Sequence, residues 1–236
     1  MDLKEEEILG DAIDTHWYYL SKAAMVARHI DKTANEVLDV GAGAGWFSKW
    51  LLQNGHARSA TCVDPGYSAE IQEETVFGRS LRFVRSVTDS QADLVLLMDV
   101  LEHVDDDVGL LREYWRIARP GTRFIITVPA FNALWSAHDD FLEHRRRYTL
   151  STLRQTVRGV GAEPLHQHYY FGLVLPAAVL VRLARRGRKA QRSDMAPLPH
   201  LMNSVLKGIC ALERPWMKLN RIAGLSVVCI LEKPVQ

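Results

Sequence analysis

An α/β fold with a doubly wound, mostly parallel sheet is the architecture that this 236-residue sequence predicts. Three observations carry that expectation. Short runs that are apolar throughout read as strands buried on both faces, and they alternate with stretches whose apolar residues recur at helical spacing. The first run leads through a glycine-rich turn, "VLDVGAGAGWFS", into a helix. The second ends in "CVDP", placing the carboxylate of Asp64 about 20 residues beyond that turn.

Composition sets the bounds. With 47% hydrophobic residues the chain can bury the core of one large domain. Twenty-nine Lys and Arg against 28 Asp and Glu leave a formal charge of +1, so nothing global attracts nucleic acid, and no basic stripe is interleaved with aromatics. Cys62, Cys210 and Cys229 are scattered and form no CxxC pair, which argues against a disulfide framework or a cysteine zinc site and fits a reduced cytoplasm. The start, "MDLKEEEILG", is acidic and lacks the apolar run of a secretory signal. A cytoplasmic protein is expected.

The elements follow in order. Ile8, Leu9, Ala12, Ile13, Trp17, Leu20, Ala24 and Ala27 predict helix over residues 4–30, within an N-terminal cap of 1–32. "EVLDVG" opens a sheet core, 33–171, and is followed by the helix "WFSKWLLQN", closed by Gly55. Then come the strand "SATCVDP", a helix near 69–77, the strands "LRFVRSV" and "ADLVLLMDV", and the helix "DDVGLLREYWRIAR", which stops before Pro120. "TRFIITVPA" is a buried strand, "LSTLRQTVRGVG" a helix and "EPLHQHYYF" a strand. An insertion over 172–224 precedes the last strand, expected at 225–234 within a final stretch of 225–236.

In such sheets ligands bind beyond the carboxyl ends of the strands, where the strand order reverses. Gly41, Gly43 and Gly45 let the backbone turn tightly and approach a ligand, and Asp64 sits where a carboxylate accepts hydrogen bonds from ribose hydroxyls. A dinucleotide site would want its third glycine at position 46, which is Trp, and Asp39 puts a negative charge where a pyrophosphate would lie. A cofactor with an amino group and a sulfonium suits this turn better. The runs "LDVGAGAG", "VDP", "DLVLLMDVLEHVDDD" and "RPGTRFIITVP" together resemble the ordered motifs of class I S-adenosylmethionine-dependent methyltransferases. That resemblance implies a Rossmann-like sheet of seven strands. It also implies that Asp39 and the turn of Gly41, Ala42, Gly43 and Gly45 hold the methionine half of S-adenosyl-L-methionine. Asp64 would take the ribose, Pro65 would lie near the adenine, and Met98 and Asp99 would line the sulfonium side. Few residues separate "LRFVRSV" from "ADLVLLMD", so the helix often found there is reduced, and Ser86 or Val87 is left as the adenine-side contact.

"LEHV" is similar to a segment of ubiquinone-biosynthesis O-methyltransferases and their bacterial relatives, in which it is associated with a divalent cation. The matching positions are Asp99, Glu102 and His103; the favoured alternative is that Glu102 and His103 simply cap the next helix and bond neighbouring loops, and His103 could instead serve as a base. Beyond the next strand, "HDDFLEHRRRYT" resembles a His-Asp, His-x-Arg-Arg-Tyr pattern in bacterial methyltransferases encoded among sugar- and lipid-modifying genes. His138 and His144 are then candidate bases, and Arg146, Arg147 and Tyr148 candidate acceptor contacts. Arg147 could also pair with Asp139 or Asp140 to fix the loop. Of the N-terminal aromatics His16, Trp17, Tyr18 and Tyr19, one or two are expected at the ligand, Trp17 foremost.

The insertion is too long for a plain loop. "GLVLPAAVLVRLARRGRK" is too short to span a bilayer, and its basic run from Arg182 to Arg192 fits a helix lying at an anionic membrane surface over 172–192, a lid or a homodimer contact. A second helix with Leu198, Leu201, Met202, Val205, Leu206, Ile209 and Leu212 should pack on the first. The expected activity is methyl transfer to an oxygen or nitrogen of a small or lipid-linked acceptor, in the cytoplasm or at the inner face of the membrane. Two alternatives are a nicotinamide-dependent oxidoreductase and a non-catalytic scaffold that binds S-adenosylmethionine.

Overall fold

The structure, a computed structural model, describes residues 8–185 and 197–235, except the side chains of 183–185. Eight strands form one sheet in the order β3-β4-β2-β1-β5-β6-β8-β7. These are β1 (Ala34–Val40), β2 (Ala57–Val63), β3 (Ile71–Val76), β4 (Arg79–Val84), β5 (Leu94–Met98), β6 (Arg123–Pro129), β7 (His166–Tyr170) and β8 (Ser226–Glu232). Strands β4, β2, β1, β5 and β6 run parallel; β3 joins β4 antiparallel at one edge, and β8 lies antiparallel between β6 and the other edge strand, β7. The order turns back between β1 and β5, so the crevice at that switch point is the expected ligand position.

Residues of β1 alternate between the two layers of the core. Val37 packs with α1 (Trp17–Ala27) and α2 (Trp46–Gln53), whereas Leu38 and Val40 pack with Leu111 of α3 (Asp107–Ile117) and Leu153 of α5 (Leu150–Arg158). A short α4 (Ala137–Phe141) follows β6. The insertion contains α6 (Leu175–Arg185) and α7 (His200–Glu213). Among the described residues no helix is long and apolar enough to cross a membrane.

Three expectations are corrected. The segment near 69–77 is the edge strand β3, not a helix, and it makes the sheet one strand larger than the resemblance implied. Phe77 and Gly78, at φ +52° and +74°, form a two-residue turn that folds β3 back on β4. "IQEET" has helix-tolerant glutamates but no stripe to bury, and pairing at the sheet edge wins. At the N-terminus a 3₁₀ turn, Gly10–Thr15, precedes α1, so the described part of the cap is two elements rather than one helix. Finally, α7 packs on α1, with Leu201, Met202, Val205 and Leu212 exposed rather than facing a first insertion helix. The basic run after Arg185 lies outside the described residues.

Candidate active site

The carboxyl ends of β1, β2, β5 and β6 lie side by side, with Val40 opposite Val63, and Met98 opposite Thr127. The chain leaves β1 through the glycine turn. Gly41 and Gly45 have φ of +62° and +73°, and a Cβ on Gly41 would come within 2.8 Å of Val100 just beyond β5. On Gly45 it would meet Cys62 Sγ at 2.9 Å, so this glycine is required by packing of α2 against β2. Gly43 is bound differently: its N–H donates to Asp64 Oδ2 at 3.1 Å, and its carbonyl accepts from the Tyr67 hydroxyl. Asp64 also accepts from Gly66 N–H at 2.9 Å, so it ties the turn to the end of β2 while remaining half-buried. Pro65 beside it is exposed, and Ala42 is buried. Tyr67, which packs edge-on against Phe83 at 5.5 Å, escaped the sequence reading because nothing in its spacing marks it.

Asp39 lies beneath the turn, 2% exposed, and accepts from the Ser48 hydroxyl at 2.8 Å. Burial pushes its carboxyl up to about 6, against the pull of the Ser48 bond.

Asp99 follows β5 with φ +56°. Its carboxylate accepts from Thr127 Oγ1 and from the Tyr18 hydroxyl, both at 3.1 Å, and pairs with Lys22, whose side chain is fully buried. Burial would raise the Asp99 carboxyl, but the Lys22 ammonium holds it below its ordinary value. The N-terminal helix therefore closes over this strand end through a lysine that sequence reasoning missed, since one lysine in an amphipathic helix reads as solvated. Met98 is 1% exposed within the core. Trp17 is half-buried, its ring edge-on to Phe171 at 5.6 Å and its backbone N–H donating to Asn203 Oδ1.

The segment after β6 resolves into a clamp. Asp139, fully buried, accepts from Arg147 Nε at 2.6 Å and Nη2 at 2.9 Å, and from Ser136 N–H at 2.8 Å, and it contacts His144 Nδ1 at 2.9 Å. Burial would raise this carboxyl, but His144 and Arg147 hold it well below the usual carboxylate range. Arg147 Nη1 donates to the Ala130 carbonyl at 3.0 Å, so its guanidinium is buried and committed to the loop. Tyr148 is likewise buried, its hydroxyl donating to Asp107 at 2.8 Å. These two residues are corrected from acceptor contacts to parts of the scaffold. Arg146, 35% exposed, donates to the Asp105 carbonyl at 2.7 Å.

The clamp brings all three candidate bases together. The His144 ring lies 4.7 Å from that of His103 and 6.4 Å from that of His138. Glu102 joins them, with ligand-capable atoms of Glu102, His103 and His144 within 4.8 Å of one another. Glu102 is fully buried, and among the described residues neither carboxyl oxygen has a hydrogen-bond partner. Burial, reinforced by Asp99, pushes its carboxyl well above 4.5. The expected metal trio of Asp99, Glu102 and His103 is corrected, because Asp99 is paired with Lys22 and His144 takes its place in the group.

A cleft of about 720 Å³ opens at the other end of the sheet, lined by Asp31, Asp93 and Arg123. Arg123 there is paired with Asp31 at 2.6 Å and Glu232 at 3.0 Å, and the cleft lies at the amino ends of the strands, away from the glycine turn. It is not the site.

Residues 15–167 match the model of a family described as a methyltransferase domain. Two curated relatives are similar over short stretches. The tRNA U34 carboxymethyltransferase of Ectopseudomonas mendocina (strain ymp) is 32% identical over 107 residues, 41% of this chain and 33% of that protein. Its namesake from Stutzerimonas stutzeri (strain A1501) is 38% identical over 61 residues, 26% and 19% of the two chains. The matched part thus spans a third or less of these relatives. Among solved structures, a chain of the complex between the Haloferax volcanii Trm112 methyltransferase activator and a methyltransferase aligns with a TM-score of 0.57 and 16% identity, covering 100% of this chain and 99% of that one. Phosphoethanolamine N-methyltransferase 2 of Haemonchus contortus, in complex with phosphomonomethylethanolamine and S-adenosylhomocysteine, aligns with a TM-score of 0.56 and 14% identity, covering 98% and 56%. At such identities the structures establish a shared fold.

Proposed function

The chain belongs to the methyltransferase domain family, and from that premise we propose that it uses S-adenosyl-L-methionine to methylate an oxygen or nitrogen of a small or lipid-linked acceptor in the cytoplasm. The observation that carries this reading is the convergence, at one sheet edge, of the Gly41–Gly45 turn, Asp64 and the Asp139–His144 pair. In it, Asp39 and the turn of Gly41, Ala42, Gly43 and Gly45 face the methionine half of the cofactor, with buried Lys22 supplying a cation for its carboxylate. Asp64 accepts from the ribose hydroxyls, Pro65 flanks the adenine, and Met98 and Asp99 border the sulfonium.

In the reaction the bond from sulfur to methyl breaks as the bond from the acceptor's oxygen or nitrogen to methyl forms, and the sulfonium becomes a neutral thioether. Holding nucleophile, carbon and sulfur in line supplies most of the acceleration. His144 removes the acceptor's proton: Asp139 fixes the ring through Nδ1 and stabilises the imidazolium, leaving Nε2 to face the acceptor. His103 and His138 border the same space, Arg146 offers its partly exposed guanidinium to an anionic acceptor, and Trp17 shields the cofactor side.

Glu102 favours a second reading of the same cluster. A buried carboxylate without a hydrogen-bond partner among the described residues, beside two imidazoles, is a donor set that suits a divalent cation. Glu102, His103 and His144 would hold it, with Asp139 orienting His144 from behind. Such an ion would supply Lewis-acid polarisation of the acceptor oxygen.

The carboxymethyltransferase relatives raise tRNA as another acceptor. The small acceptor is retained because no basic stripe interleaved with aromatics marks the sequence. Calorimetry with S-adenosylhomocysteine and with NAD, followed by transfer of labelled methyl to a panel of hydroxyl and amine acceptors, tests the assignment. Binding of NAD without binding of S-adenosylhomocysteine would overturn it in favour of an oxidoreductase.

A further inference from the structure

Helix α7 turns one face to α1 and the sheet, where Leu206, Ile209 and Cys210 pack on the core and two buried polar side chains bind backbone: Asn203 accepts from the backbone N–H of Trp17 and donates to the Thr15 carbonyl, both at 2.8 Å, and Glu213 accepts from Gly172 N–H at 2.8 Å and Leu173 N–H at 3.2 Å. The outer face carries Leu201, Val205 and Leu212, spaced four and seven residues apart, and Trp216, Leu219 and Ile222 continue it. These six side chains are 52% to 89% exposed. Large apolar groups in contiguous stripes on a solvent face mark an interaction surface.

Charge is segregated onto the same insertion. Residues 172–224 carry ten Lys and Arg against two Asp and Glu, although the whole chain carries 29 against 28. The rest of the chain is therefore acidic, and the near-neutral total conceals a strongly cationic insertion on an anionic body. The exposed apolar stripe and the positive charge belong to one segment of about 50 residues.

We propose that the outer face of this insertion docks the protein on an anionic lipid bilayer. Leu201, Val205, Leu212, Trp216, Leu219 and Ile222 enter the boundary between headgroups and acyl chains, while the exposed Lys218 and Arg221, beside Leu219 and Ile222, meet the headgroup phosphates. A second copy of the chain fits less well, because it would oppose two strongly cationic segments. RNA would satisfy the charge but offers nothing to exposed leucine and isoleucine side chains. The docking holds whichever acceptor the enzyme methylates.

Flotation of the full chain with vesicles tests it. The protein should float with vesicles containing about 30% phosphatidylglycerol but not with phosphatidylcholine alone, and raising salt from about 0.1 M to about 0.5 M should release it. Leu201→Gln, Val205→Gln and Leu212→Gln combined, and separately Lys218→Glu and Arg221→Glu combined, should each lower the partition coefficient at least ~tenfold. Unchanged far-UV circular dichroism and thermal midpoint would confirm that these surface variants fold. Failure to float with anionic vesicles would overturn the proposal, as would flotation that the leucine-face variant leaves intact. A dimer in sedimentation whose dissociation follows the leucine substitutions, or tRNA binding with no vesicle binding, would assign the face to that other occupant instead.

Discussion

His144 is held from behind by Asp139: its Nδ1 lies 2.9 Å from Asp139 Oδ1, and the same carboxylate accepts from Nε and Nη2 of Arg147. One buried acid thus fixes a histidine and a loop at once. Replacing His144 with Ala should lower kcat by ~10²–10⁴-fold and leave the affinity for S-adenosylhomocysteine nearly unchanged. Wild-type turnover in that variant would remove His144 from the chemistry and shift attention to His103 or to proton loss from the acceptor itself.

Asp139→Asn separates the structural job from the chemical one. It leaves the buried Arg147 charge without its counter-ion, and removing one partner of a buried ion pair costs about 3–5 kcal/mol. Urea denaturation should show a loss of that order. Asp140→Asn, next to it but exposed, should stay within about 0.5 kcal/mol of wild type. Equal stability in the two variants would contradict the clamp.

Asp64 and Gly43 test the cofactor subsite. Asp64→Ala should weaken S-adenosylhomocysteine binding by ~1–3 kcal/mol in calorimetry, through lost hydrogen bonds to the ribose and a looser turn. Gly43→Val, at φ +55°, should abolish binding. A Gly43→Val protein that binds normally would make the turn a packing device only.

How much of this could be read from residue order differs by kind of feature. The parallel core and the ligand edge were legible because fully apolar strands and a glycine turn followed by Asp64 are local signals. The strand β3 was not, since Gln72, Glu73 and Glu74 suit a helix locally and only the pairing with Arg82 and its neighbours decides otherwise. The Lys22–Asp99 pair joins residues 77 apart, and no local pattern signals it. In "HRRRY" charge density was visible, but which arginine is buried depends on Asp139 folding back upon it. Sequence reading offered Arg147 and Tyr148 to the acceptor and kept an Arg147 pair with Asp139 or Asp140 as the alternative; burial puts both side chains in the scaffold, with Arg147 on Asp139.

Two histidines outside the site set a pH limit on stability. His29 and His168 are buried with their Nε2 atoms 3.3 Å apart, facing His166, Lys218, Arg221, Arg123 and Asp31. Burial, then neighbouring positive groups, lowers both from 6.5 to about 3. A folded pKa below the unfolded value means that the unfolded chain takes up protons first, so this contribution is complete above pH 6.5 and is lost as pH falls toward 3. At ~1.4 kcal/mol per unit the loss by pH 5 is on the order of a few kcal/mol. Asp39, raised to about 6, acts in the opposite direction over part of the range, so the informative quantity is a difference. His168→Gln should flatten the slope of unfolding free energy between about pH 7 and 5; an unaltered slope would place the acid sensitivity elsewhere.

Glu102 should show the reverse pH dependence and a conflict between stability and function. Its carboxyl is buried, without a hydrogen-bond partner among the described residues, and raised well above 4.5 by burial and by Asp99. A folded pKa above the unfolded one contributes stability that is complete below 4.5 and disappears as pH rises through the folded value. Glu102→Gln removes the ionisable group at nearly constant shape, so its thermal midpoint should exceed that of wild type at pH 8 and approach it at pH 5. The same substitution should abolish calorimetric binding of Zn²⁺ or Mg²⁺ if the Glu102, His103 and His144 cluster holds a cation. With a cation bound, the ordering at pH 8 should reverse, because an ion that binds only the folded wild type stabilises it by mass action. A variant less stable than wild type at pH 8 without added metal would show that Glu102 is satisfied in the folded protein, and the metal reading would lose the observation on which it rests.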